Sequence, residues 1–219
     1  MRQNISLAEI SDGHLYKAND MVKADCGGCE GCSQCCRGMG SSIILDPYDV
    51  YRLTTGIGKS MQELLATSVE LNVVDGVILP NLKMQGTGEA CAYLDAAGRC
   101  RIHPYRPGIC RLFPLGRHYE NGGLFYFLQT GECAKENRSK VKVSKWIDTP
   151  ELKRNEQFKL QWHDLLSAMT DRVAGEDEGK QREENLLLLR LFYLLPYEGT
   201  TDFYSQFTER MEHWNEQIG

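Results

Sequence analysis

The sequence predicts an α+β fold: a small cysteine-rich module of short hairpins and two helices, followed by a helical C-terminal part. Three observations carry this. All nine cysteines lie between Cys26 and Cys133. Turn dipeptides flanked by β-branched and aromatic residues recur within that stretch, as hairpins require. Beyond it, apolar residues return at helical spacing among charges. The division that follows is an N-terminal segment over 1–25, a cysteine module over 26–140, and a helical region over 141–219 packed on the module.

Taken in order, Asp46 before Pro47 is a helix start, with a side chain that can cap the first turn and a proline where no amide partner is needed. The helix runs to about Thr55, before Gly56 and Gly58. Ser60 with Glu63 three residues on is a capping box, opening a helix over Met61, Leu64, Leu65 and Val69. Val73 to Leu79 reads as a tight hairpin on Asp75-Gly76, a pair suited to the positive φ of such turns. A second hairpin is expected from Cys91–Leu94 and Arg99–Ile102 around Asp95 to Gly98, and a third around Asn121-Gly122-Gly123. With a four-residue loop in the second, Leu94 faces Arg99, Tyr93 faces Cys100 and Cys91 faces Ile102. Cys91 and Cys100 then become diagonal neighbours about 7–8 Å apart at Cα, wide for a disulfide, whose limit is about 7 Å.

Further on, Thr149-Pro150 opens a long helix carrying Leu152, Phe158, Leu160, Leu165, Leu166 and Met169. The charged stretch 175–184 separates it from a leucine-rich helix stopped at Pro196. Phe203, Phe207, Met211 and Trp214 then mark a last helix.

Composition removes several classes of function. Apolar residues at 42% and charged ones at 25% are those of an ordinary globular chain, so disorder is not expected. A net charge of −5 argues against nucleic acid, whose binding draws on clustered Lys and Arg. Charges at Arg2, Glu9, Asp12, Lys17 and Asp20 interrupt the first residues, leaving no apolar core of a secretory signal, so a cytoplasmic location is expected. Leu186 to Leu195 is broken by Arg190 and falls short of the roughly 20 apolar residues of a membrane span. Cytosolic thiols stay reduced, so these cysteines point to metal or thiol chemistry rather than a disulfide framework.

The densest signal is Cys26, Cys29, Cys32, Cys35, Cys36, a CxxC ladder ending in a doubled cysteine. Two intervening residues make a turn that returns the chain to one side, so successive thiolates converge on one metal ion or cluster. Gly27, Gly28 and Gly31 bare backbone N–H groups that can face the negative charge of such a centre. Cys35 and Cys36, being adjacent, are poorly placed to share one ion, so one of them can serve a second site. Further ligands would come from Cys91, Cys100, Cys110 and Cys133. Prolines 104, 107 and 114 stiffen the loop bearing Cys110. Arg101, Arg106, Arg111 and Arg117 surround it. Their guanidinium groups can offset the negative charge of a thiolate-held cluster, pair with carboxylates or bind an anionic substrate. Trp146, Trp162 and Trp214 are expected to pack. No Walker loop, HExxH or dinucleotide fingerprint is present, and no catalytic residue is named.

Cys29, Cys32, Cys35 and Cys36 spell CxxCxxCC, and Tyr105, Arg106, Pro107, Cys110, Arg111, Phe113 and Pro114 spell YRPxxCRxFP. On these residues the chain resembles the YkgJ-type cysteine-cluster proteins of the CxxCxxCC zinc- or iron-chelating domain family, over about Cys26 to Cys133. It is also similar in its cysteine motif to flagellin lysine methylases, which use an iron–sulfur centre. The resemblance implies a metal-binding domain whose ligands are Cys29, Cys32, Cys35, Cys36, Cys91, Cys100, Cys110 and Cys133, with Cys26 additional to the pattern. The ladder is ferredoxin-like in its CxxCxxC run, which favours an iron–sulfur cluster, 4Fe-4S, with Cys29, Cys32, Cys36 and Cys110 as primary ligands and Arg106 and Arg111 facing the cofactor. The alternative is zinc in a structural or interaction module, or a metal delivery protein. An enzyme, an oxidoreductase or methylase-like, would receive a protein or small-molecule substrate near the arginine loop.

Overall fold

A computed structural model describes residues 7–27, 32–135 and 137–218. A single helical turn α1 (Leu7–Ile10) and strand β1 (Met21–Asp25) lead to the cysteine segment, whose end is a 3₁₀ turn over Gln34–Cys36. Helices α2 (Pro47–Ile57) and α3 (Met61–Thr67) follow, then the hairpin β2 (Val69–Val74) with β3 (Val77–Leu82) and the short pair β4 (Met84–Gln85) with β5 (Ala90–Cys91). Cys110 rides on helix α4 (Gly108–Leu112), and β6 (Leu115–Glu120) pairs with β7 (Gly123–Leu128). Strand β8 (Ser139–Lys142) pairs antiparallel with β1 and runs into α5 (Val143–Ile147); α6 (Leu152–Val173), α7 (Glu178–Leu189) and α8 (Phe203–Ile218) complete the chain. The fold is α+β, with four small antiparallel pairs among the described residues. No helix in them is long and apolar enough to cross a membrane.

The local signals fold as their chemistry dictates. Asp46 and Asp49 close a reciprocal capping box on α2, Asp49 N–H to Asp46 Oδ1 at 3.0 Å and Asp46 N–H to Asp49 Oδ2 at 3.2 Å, and Gly58 ends the helix in the left-handed region. Ser60 and Glu63 do the same for α3. Asp75 and Gly76, and Asn121 and Gly122, all take positive φ at the tips of β2–β3 and β6–β7, the turns that match the twist of paired strands.

Three local expectations need correction. The helix opened by Ser60 ends at Thr67, and Val69 begins β2, where it is buried opposite Leu82. The long helix begins at Leu152 rather than at Thr149-Pro150. Asp148 caps α5 in the left-handed region and Glu151 takes the same conformation, so the chain turns between two helices before the second starts. The strand pair expected over 91–102 is reduced to a single bridge, one residue out of the expected register, with Leu94 rather than Tyr93 facing Cys100, and Cys91 pairs instead with Met84 in β4–β5. The cause is Asp95. Its side chain accepts the Arg99 N–H at 2.8 Å while its own N–H donates to Arg99 O at 2.9 Å, which draws Arg99 into the loop.

The main core draws on both sides of residue 140. Leu45, Tyr48, Val50 and Leu53 around α2, with Leu64, Leu79 and Leu82, pack against Phe158, Trp162, Leu165, Leu188, Phe192, Phe203 and Phe207. Phe158 stands edge-on to Phe207 at 4.7 Å and to Phe203 at 5.2 Å between ring centres. A smaller core joins β1, α4, β6, β7 and α5 through Val22, Ala24, Leu112, Leu115, Tyr126 and Val143. Between α7 and α8, Arg190–Leu194 form a π-helical turn that stops at Leu195, before Pro196.

Candidate metal centre

Six cysteines line one cavity of about 220 Å³: Cys32, Cys35, Cys36, Cys91, Cys100 and Cys110. The backbone explains how they meet. Gln34–Cys36 form a 3₁₀ turn closed by Cys36 N–H to Ser33 O at 3.0 Å, so Cys35 and Cys36 sit on its rim. The next residue, Arg37, bridges Ala90, and Gly38 N–H donates to Glu89 O at 3.0 Å, fastening the ladder beside Cys91. Leu94 N–H donates to Cys91 O at 2.8 Å and Leu94 pairs with Cys100, which folds the shifted loop back over Cys91. Cys110 reaches the cavity on α4, whose N-cap is Pro107.

Of the remaining sequence candidates, Cys133 does not line this cavity and lies half-buried ahead of β8. Cys29, with Gly28 and Gly31, lies outside the described residues. None of the described cysteines is in a disulfide. Among the described residues, no three Cys, His, Asp or Glu side chains form a ready-made site for a single metal ion.

The thiols feel one another. The Cys36 thiol donates a hydrogen bond to Cys35, which lowers the Cys35 pKa to about 7, with the Arg106 charge assisting, and pushes Cys36 far up. Cys35 and Cys36 therefore share one cavity rather than pointing to separate places. Burial pushes Cys91, Cys100 and Cys110 up, and each is raised further by neighbouring cysteines. Without a cation most of these groups hold their protons, so a thiophilic metal entering here would release them as it bound.

Arginine supplies the opposing charge. Arg99, Arg106 and Arg111 line the cavity with His103, and among the described residues no carboxylate does. Arg111 is only 8% exposed. Burial lowers its pKa and the charges of Arg52 and Arg106 add to this, a crowding of like charge that a negative occupant would relieve. Its Nη1 donates to Asp148 O at 3.1 Å and its Nη2 to Pro104 O, while the Nε atoms of Arg106 and Arg111 are buried with no hydrogen-bond partner among the described residues. His103 is held down by burial and then by the arginines, so its neutral ring can accept from Arg106 Nη1 at 2.7 Å. The wall is otherwise apolar, with Met39, Ile43, Met84, Ile109 and Phe113. Trp146 packs on the smaller core and also borders the cavity, its Nε1 donating to Leu112 O at 3.2 Å. Trp162 and Trp214 pack in the main core.

Sequence reasoning missed a charged group behind Cys110. Asp49, buried in α2, accepts the Gly108 N–H at 2.7 Å on its Oδ1, and Lys159 of α6, equally buried, pairs with Asp46. Burial raises Asp49 to about 6 against the pull of the Gly108 bond and of Arg117. Burial lowers Lys159 to about 7, and contact with the Asp46 carboxylate opposes that. The doubled use of Asp49 leaves no local trace: its partner is 59 residues away.

Thiols from separated segments on one cavity and arginines beside them fit a thiolate-held metal centre of negative charge. Comparison with curated proteins and with solved structures finds no match. A family model described as "CxxCxxCC: Putative zinc- or iron-chelating domain" matches residues 28–137. That span contains all the cysteines of the cavity and the arginine loop, and the chain belongs to the CxxCxxCC family.

Proposed function

We propose that this chain is an iron–sulfur protein, with a 4Fe-4S cluster held in the thiol-lined cavity by Cys32, Cys36 and Cys110 together with Cys29. The observation that carries this reading is the spread of six cysteines around one arginine-lined cavity. A single tetrahedral zinc with bonds of about 2.3 Å would need four sulfurs within about 4 Å of one another. Six thiols beside one cavity exceed the four that one zinc ion takes. Cys35, Cys91 and Cys100 supply further thiolates or hydrogen bonds to it. The guanidinium groups of buried Arg111 and half-buried Arg106 offset its charge and hold its reduction potential up. Such a cluster, when bound, supplies one-electron redox chemistry.

The cavity also favours a reactive centre over a sealed structural one, because its apolar wall and the exposed Arg99 leave room for a protein or small-molecule substrate beside the thiols. In that role Arg99 and Arg106 would orient an acidic group, while Phe113 and Trp146 keep water from the far side. Anaerobic purification followed by metal and acid-labile sulfide analysis tests the proposal. Iron with matching sulfide and a broad visible absorption band is expected. A colourless protein loaded with zinc would overturn it in favour of the zinc reading.

A further inference from the structure

We infer that Asp49 and Lys159 are positioning residues for Cys110: a buried chain of contacts, Lys159 to Asp46 to Asp49 to Gly108, fixes where that thiol stands in the cavity. This rests on the reading of Cys110 as a ligand of the centre.

The chain is continuous. The Lys159 ammonium, on a residue only 4% exposed, pairs with Asp46 Oδ2. Asp46 and Asp49 exchange both hydrogen bonds of the α2 capping box. Asp49, 3% exposed, uses its Oδ1 to accept the N–H of Gly108, two residues before Cys110. The same glycine explains why nothing larger stands there. A Cβ on Gly108 would lie 3.0 Å from Arg117 Nη2, 3.4 Å from Lys159 Nζ and 3.5 Å from Asp49 Oδ1, so three charged groups converge on the first residue of α4.

A capping box alone does not require this arrangement. The Ser60 and Glu63 box on α3 makes the same reciprocal bonds at an exposed site with no buried lysine behind it. Burying a lysine and the Asp49 carboxylate beside a half-buried Asp46 is costly, and an apolar residue at 159 would pack more cheaply. What the charges add is direction. A helix of five residues cannot hold its own orientation, because most of its amides and carbonyls lack partners within the helix. A carboxylate fixed at both oxygens pins its first amide. The pin reaches from the helical C-terminal region into the metal-binding module, so α6 takes part in shaping the centre without touching it.

Site-resolved alkylation tests this in the full chain. Wild type, Asp49→Ala, Asp49→Asn, Lys159→Met and Gly108→Ala are purified anaerobically and treated with iodoacetamide, and the rate at each cysteine is read by mass spectrometry beside total metal. Loss of the charged hydrogen bond should speed alkylation of Cys110 about tenfold or more in Asp49→Ala and Lys159→Met, leaving Cys91 and Cys100 nearly unchanged. Asp49→Asn, whose side-chain oxygen can still accept from Gly108, should stay close to wild type. Gly108→Ala, which displaces the same charged groups while favouring the helix, should resemble Lys159→Met even if Asp49→Ala fails to fold. Cys110 reacting at the wild-type rate in these variants would overturn the inference, as would a parallel rise at all three cysteines. A wild-type protein without metal would instead count against the ligand reading, and the Cys110 rates would remain separately readable.

Discussion

Replacing Phe158 by alanine is expected to lower the free energy of unfolding by about 3–5 kcal/mol, the cost of emptying a fully enclosed aromatic site. Phe158 is 1% exposed and lies where α2, α6 and α8 meet, with Tyr48, Phe203 and Phe207 around it. Its neighbours are themselves rings held by several partners, so they cannot collapse into the gap without giving up edge-on contacts. Urea unfolding followed by far-ultraviolet circular dichroism should show an earlier midpoint with an unchanged slope, meaning lost stability rather than a changed denatured state. A loss below about 1 kcal/mol would mean that the helical C-terminal region and the cysteine module do not share the continuous core described.

The second large effect is expected at the thiols. Cys110→Ala should lose most of the bound metal, because removing a ligand costs at least as much as removing a ligand's hydrogen-bond partner, about 10–100-fold in affinity. Cys133→Ala should keep its metal, since Cys133 does not line the cavity. The melting temperature should fall with metal content in the first variant and hold in the second, as binding to the folded state stabilises it. Equal metal retention in both variants would contradict the assignment of the centre to this cavity.

These residues also mark how far the sequence could be read. Asp46-Pro47, Ser60 with Glu63, Asp75-Gly76 and Asn121-Gly122 were legible because capping and positive φ are local demands, met within four residues. The CxxCxxCC run and the arginine loop were legible as chemistry, and Cys35, Cys36, Cys91, Cys100, Cys110, Arg106 and Arg111 do come to one cavity with Cys32. Less was visible wherever one side chain changed a register or made a distant pair. Asp95 shifted its hairpin by one residue through a bond that a pattern of turn residues does not encode. The pairing of β1 with β8 joins two short alternating segments with no turn between them to announce it. Lys159 is buried, and its carboxylate partner Asp46 stands 113 residues earlier.

We propose that the thiols of this cavity are ligands to an inorganic centre, and the direct measurement is X-ray absorption at the metal edge of the anaerobically purified full chain. The account predicts iron with a first shell made of sulfur and a second metal atom close behind it. A first shell dominated by nitrogen or oxygen, or a sulfur-bound metal with no metal neighbour, would contradict it.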